Sequence, residues 1–141
     1  MNIEFCRKLA DFIVRPDRQH NFDLTKFMSI NPPPVEPPAL CDTVACIAGS
    51  AYLLHELEQG HSILNAYETF RDGDFNWYET SIPPFEFTPK ESSVFRRWCT
   101  TDMRESLWHV LPSRVTARQA ADLLYFIAAT GRIPTHPGEF L

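Results

Sequence analysis

Cys41-Asp42-Thr43-Val44-Ala45-Cys46-Ile47-Ala48-Gly49-Ser50-Ala51 leaves a proline-rich run and passes into Tyr52-Leu53-Leu54. Asp42 or Thr43 can cap the free N–H groups of a first helical turn. The stretch therefore predicts a helix from about 43 to Gln59, stopped by Gly60. On it Ala45, Ala48 and Gly49 share a face with Cys46 and Ser50 beside them, while Ile47, Leu53, Leu54 and Leu57 supply bulk. A mid-helix glycine costs about 1 kcal/mol relative to alanine. Set among alanines, Gly49 predicts that another backbone passes close by; the competing reading is a helix N-terminus open to an anion.

Outward from this helix the chain reads as mainly α. Asn2 caps a first helix to Val14 whose Cys6, Leu9, Ala10 and Ile13 form one apolar face, ended by Arg15-Pro16-Asp17. Phe22, Leu24, Phe27 and Met28 anchor either a short helical turn or an irregular segment. In 31–38 five of eight residues are proline, which makes a stiff connector. Its P-x-x-P spacing lacks the basic flank expected of an SH3 ligand.

Ser62 caps a short helix carrying Ile63, Ala66, Tyr67 and Phe70. An aromatic loop or small hairpin follows over 75–87, with Phe75, Trp77, Tyr78, Phe85 and Phe87 around Pro83-Pro84. Such a loop either folds back as a lid or grips a partner. Thr88-Pro89-Lys90-Glu91 and Thr116-Ala117-Arg118-Gln119 are capping boxes that open two further helices. Between them Thr101 or Asp102 starts another through Met103, Leu107, Trp108 and Leu111. Residues 132–141 form an irregular tail after Gly131. The expected architecture is one compact domain, 1–141, of five or six helices, with 43–59 packed centrally against the first and last.

Apolar residues make up 44% and aromatics 13% of 141 residues, enough for one core and too much for a disordered chain. No apolar run reaches the ~18 residues of a membrane span. The N-terminus lacks a secretory signal pattern, so a cytoplasmic location is expected, bacterial or in a host cell. Net charge is −5, and residues 41–86 carry eight acidic groups against Arg71 alone. That balance disfavours direct nucleic-acid binding, which depends on clustered Lys and Arg.

Several chemistries fail on spacing. His55-Glu56-Leu57-Glu58-Gln59 has glutamine where a zincin needs its second histidine. Asp72-Gly73-Asp74-Phe75-Asn76 opens like a calcium loop but has Trp77 in place of its glycine. Cys6, Cys41, Cys46 and Cys99 show no C-x-x-C pair. A Cys41–Cys46 disulfide would clash with helical geometry. Cys41 and Cys46, with His55 or another of His20, His61, His109 and His136 as a base, remain the candidates for a cysteine-centred enzyme or metal site. No cofactor is expected.

The chain resembles a group of small uncharacterised bacterial and phage proteins with a C-G-T-x-x-C-I-A-G-W-A motif. The matching residues are Cys41, Thr43, Cys46, Ile47, Ala48, Gly49 and Ala51, preceded by Phe22-Asp23-Leu24. Leu107-Trp108 with Pro112 follow, and then Thr116, Ala120, Ala121, Thr130 and Gly131. Asp42 replaces the family glycine and Ser50 a tryptophan, whose space Trp77 or Trp98 would fill. The resemblance implies a helical fold and a bacterial or phage origin, and no reaction. The leading expectation is an interaction module, an inhibitor or regulator that binds another protein through Glu56, Glu58, Asp72, Asp74, Trp77 and Tyr78.

Overall fold

A computed structural model describes residues 1–14, 21–30, 43–72 and 82–141. Cys41, Asp42, Asp74, Trp77, Tyr78 and the proline-rich connector 31–38 lie outside the described residues. The domain is mainly α. In chain order the elements are α1 (Ile3–Ile13), β1 (Asn21–Phe22), β2 (Met28–Ile30), β3 (Thr43–Ala45), α2 (Ile47–Glu58), α3 (Ile63–Arg71), α4 (Pro89–Cys99) and α5 (Ala117–Thr130). Short 3-10 turns stand at Pro83–Phe85, Pro112–Arg114 and Pro137–Glu139.

Thr43-Val44-Ala45 is the first departure from expectation: it is a strand, and the helix begins only at Ile47. β3 lies at the centre of a three-stranded sheet ordered β1-β3-β2. It runs parallel to β1, with Asn21 opposite Val44, and antiparallel to β2, with Met28 opposite Ala45 and Ile30 opposite Thr43. Met28, Ile30, Thr43 and Ala45 are buried while Ser29 and Val44 are half-exposed, the period-two alternation of a strand with one face on the core. Ladder partners more than a dozen residues upstream override the helical reading of 43–45. The segment 22–28, expected as a helical turn or irregular, supplies those partners.

Cys46, not Asp42 or Thr43, is the N-cap of α2. Its backbone is extended, and its Sγ accepts from the Gly49 N–H at 3.4 Å. Its own N–H donates to the Lys26 carbonyl at 2.6 Å. The backbone at Lys26-Phe27 thus crosses the first turn of α2, and Gly49 faces it. A Cβ on Gly49 would sit 1.5 Å from the Phe27 carbonyl oxygen. This is the close approach that the glycine foretold, although Ala45 belongs to the strand rather than to the helix's small face. From Ile47 to Leu53 every residue of α2 is buried; the helix packs on α1, α3 and β3, and the expected packing against the last helix, α5, is not formed to any extent, since α1 covers α5 instead.

The other helices follow their local signals. Asn2 Oδ1 accepts from the Phe5 N–H at 3.0 Å and opens α1. Ser62 caps α3, and both capping boxes form at Thr88/Glu91 and Thr116/Gln119. Gly60 (φ 84°) and Gly131 (φ 67°) take the left-handed backbone after α2 and α5. α1 packs along α5, burying Phe5, Leu9, Phe12 and Ile13 against Leu123, Leu124 and Ile127, and the Tyr125 hydroxyl donates to Asp11 across the pair.

Two further expectations are corrected. Residues 101–111 form no helix. The Asp102 carbonyl accepts from Glu105 and Ser106 N–H, but the turn does not continue. Asp102 Oδ1 instead caps the Arg104 N–H at 2.9 Å. The Leu107 N–H donates to the Arg97 carbonyl at 3.0 Å and Trp108 Nε1 to the Trp98 carbonyl at 2.8 Å. These bonds consume the end of α4 and hold the loop in a non-helical path, with His109 at positive φ (59°).

Phe85-Glu86-Phe87, in the stretch expected as a loop or small hairpin, is no strand: Phe85 ends a 3-10 turn and Glu86 is left-handed (φ 54°). Phe85 and Phe87 are buried, stacked on each other and tilted against Phe95. This part of the aromatic loop therefore folds back onto the core. Trp98, fully buried, donates Nε1 to the Pro134 carbonyl at 2.9 Å, and Phe140 meets Trp98 and Trp108 edge-on. The tail is pinned by Glu139, which accepts from Arg132 at 2.5 Å and from the Thr135 N–H at 2.6 Å.

Candidate functional site

Of the residues singled out by sequence, His55 and Glu58 come together in a groove. They sit three apart near the C-terminal end of α2 and face one wall with the first turns of α1 and the 3-10 turn at Pro83–Phe85. Glu4 and Lys8, four apart on α1, form the second wall, and Pro83, Pro84 and Glu86 the third. The cavity measures about 370 Å³. Asn2 fixes the third wall by donating its backbone N–H to the Phe85 carbonyl at 2.7 Å.

The groove is acidic. Glu4, Glu58 and Glu86 face it against Lys8 and His55. Lys8 Nζ lies 3.2 Å from Glu58 Oε2 and 3.9 Å from Glu4 Oε1. Both pairs are exposed enough to be worth only about 0–1 kcal/mol each. An incoming cation can therefore replace Lys8 at little cost.

Glu56 and Asp72 stand apart from this groove. Glu56 pairs with His61 Nδ1 just beyond the end of α2. Asp72, the C-cap of α3, lies 3.4 Å from Arg71. The expected acidic set is thus divided among separate local pairs. Sequence reading missed Glu4, Lys8 and Glu86. The i, i+4 spacing of Glu4 and Lys8 on the polar face of α1 was the available signal.

Cys46 lies at the opposite end of α2 from His55. Nine residues of helical rise separate them by about 13 Å along the axis, too far for a thiol–imidazole pair. Its partner in space is Cys99, from the end of α4; both line a cavity of about 310 Å³ with Leu24, Phe27 and Thr100. Cys6, Cys46 and Cys99 are free thiols and buried. Burial holds the Cys99 thiol well above its ordinary pKa, with Cys46 adding to the shift, and pushes Cys6 up to about 12. A nucleophilic cysteine needs the opposite shift. Among the described residues no group of three or more His, Cys, Asp and Glu side chains is placed to hold a metal ion, and no helix is long and apolar enough to cross a membrane.

Comparison with known protein families, characterised proteins and solved structures gives no match.

Proposed function

We propose that this chain is a protein-interaction module that receives a basic segment of its partner in the groove between α1, α2 and the turn at Pro83–Phe85. The observation that carries this reading is the convergence of Glu4, Glu58 and Glu86, from three separate segments, on one cavity in which Lys8 pairs with Glu4 and Glu58. The groove belongs to an acidic stretch, since residues 41–86 hold eight acidic groups against Arg71. Such a field speeds encounter with a positive partner and orients it. Phe5, Pro83 and Pro84 give the groove a stiff apolar floor that need not be ordered on binding. Glu56, Asp72 and Asp74 extend the acidic field, and Trp77 and Tyr78 are the aromatic contacts of the same reading. The role that fits is an inhibitor or regulator of another protein, working in a reducing cytoplasm where the thiols stay free.

A panel of arginine- and lysine-rich peptides, read by fluorescence anisotropy at two salt concentrations, tests the groove. Peptides that bind should lose at least tenfold in affinity to a Glu4→Gln/Glu58→Gln/Glu86→Gln protein, and less to Glu56→Gln/Asp72→Asn. Equal affinity for the triple variant and the parent protein would refute the groove.

A further inference from the structure

Another cavity lies elsewhere, at the C-terminal end of α4. It measures about 600 Å³ and is lined by Ser93, Arg96, Arg97, Thr100, Arg104 and Glu105, with Cys99 beneath. A helix C-terminus ordinarily repels anions through its unpaired carbonyls. Here three of those four carbonyls are taken: Arg96 O accepts from the Thr100 N–H, Arg97 O from Leu107, and Trp98 O from the Trp108 indole. The arginines of the last turn therefore need not serve as caps, and their charge is left to the cavity.

The charges are unequally committed. Arg104 spends its guanidinium on Asp102, with Nη2 3.2 Å from Oδ2. Arg97 donates Nε to the Glu105 carbonyl at 3.0 Å, which fixes its side chain and leaves its terminal nitrogens unassigned. Arg96 is the telling residue. Its Nε is fully buried and has no hydrogen-bond partner. The only other such side-chain atom among the described residues is the hydroxyl oxygen of Ser92, one helical turn away on the same face of α4. A buried, unbonded donor on a charged group costs more than the roughly 1–3 kcal/mol of a neutral one, and a negative charge entering the cavity that Arg96 lines would offset part of it.

We propose that this cavity binds a small organic phosphate, held as its dianion by the guanidinium groups of Arg96 and Arg97. Two guanidinium groups lining one cavity, with Ser93 and Thr100 also in its lining, offer more donors than the two oxygens of a carboxylate accept. They suit the three terminal oxygens of a phosphomonoester. The volume is that of a small-molecule site, larger than bare phosphate requires. The chain's net charge of −5 disfavours a polyanion as the ligand. This site is independent of the acidic groove.

Calorimetric titration with inorganic phosphate and with O-phosphoserine, at constant ionic strength, tests the assignment, with acetate for comparison. Saturable binding of both phosphates is expected, tighter for phosphoserine. Arg96→Gln and Arg97→Gln should each weaken it at least tenfold, while Arg114→Gln, outside the cavity, leaves it unchanged. Amide NMR shifts in the parent protein should centre on Ser93 to Glu105, a readout that stands even if an arginine variant fails to fold. No saturable binding into the millimolar range, shifts centred elsewhere, or acetate bound as tightly as phosphate would overturn the proposal.

Discussion

Gly49→Ala inverts the usual sign of a helical substitution. In an exposed helix interior, alanine in place of glycine stabilises by about 1 kcal/mol. Here the new methyl carbon would stand 1.5 Å from the Phe27 carbonyl oxygen, 2.6 Å from its carbon and 3.1 Å from the Ala45 Cβ. The first two atoms are backbone, so no rotamer change relieves the clash. Either the Lys26-Phe27 crossing moves away by more than an ångström or α2 does. The first course strains the 2.6 Å bond from Cys46 N–H to Lys26 O and shifts buried Met28, which opposes Ala45 in the sheet. The second shifts α2, which is buried from Ile47 to Leu53. Overpacking of this kind costs about 1–3 kcal/mol, occasionally more. With backbone as the obstacle, Gly49→Ala should lose about 3 kcal/mol, a large share of the ~5–15 kcal/mol available to a domain. Gly49→Leu should not fold. Urea unfolding followed by far-ultraviolet circular dichroism measures the alanine variant. A midpoint equal to or above that of the parent protein would refute the crossing of Phe27 over α2.

Two smaller perturbations follow from the same structure. Cys46→Ala removes the sulfur cap on Gly49 N–H and should cost about 1 kcal/mol, visible as a lower urea midpoint; Cys46→Ser, which restores a cap, should cost less. Glu139 gives the tail a pH dependence. Its hydrogen bond with Arg132 leads, with the Thr135 N–H next, in lowering its pKa from 4.5 to about 2. Because the folded-state value is depressed, the contribution is full above about pH 4.5 and fades as pH falls through about 2. Tryptophan fluorescence should report the loosening of Phe140 from Trp98 and Trp108 over that window. Glu139→Gln should flatten the response; an unchanged profile in that variant would show that another group controls the tail.

What the sequence made legible was whatever its information kept local. Asn2, Ser62, Thr88 and Thr116 each cap a backbone group three residues on, and Gly60 and Gly131 each stop a helix where they stand. Thr101-Asp102 looked like the same signal and misled, because Asp102 is equally good at an isolated turn. The competing partners, Arg97 and Trp98 carbonyls, lie up to ten residues away from the groups they receive. The sheet was illegible for the same reason: its strands have two or three residues, too few to show a period, and their pairing joins Asn21 to Val44. The groove likewise draws on positions 4, 8, 55, 58 and 86. Nothing local marks Glu86 as the neighbour of Glu4.

Gly49 is the exception that joins the two kinds of information. Its presence among alanines states locally that something non-local approaches, without saying what. The answer, the Phe27 carbonyl, also explains Cys46. The same crossing that demands a missing side chain at Gly49 takes the Cys46 N–H at Lys26, leaving the thiol to cap the helix. At that corner the side chain is buried and accepts the Gly49 N–H. The described part of the motif, Thr43 to Ala51, holds a strand, a crossing and a helix together. In the two proposals above, recognition falls to Glu58 and Arg97, which extend from that scaffold and belong to no local motif.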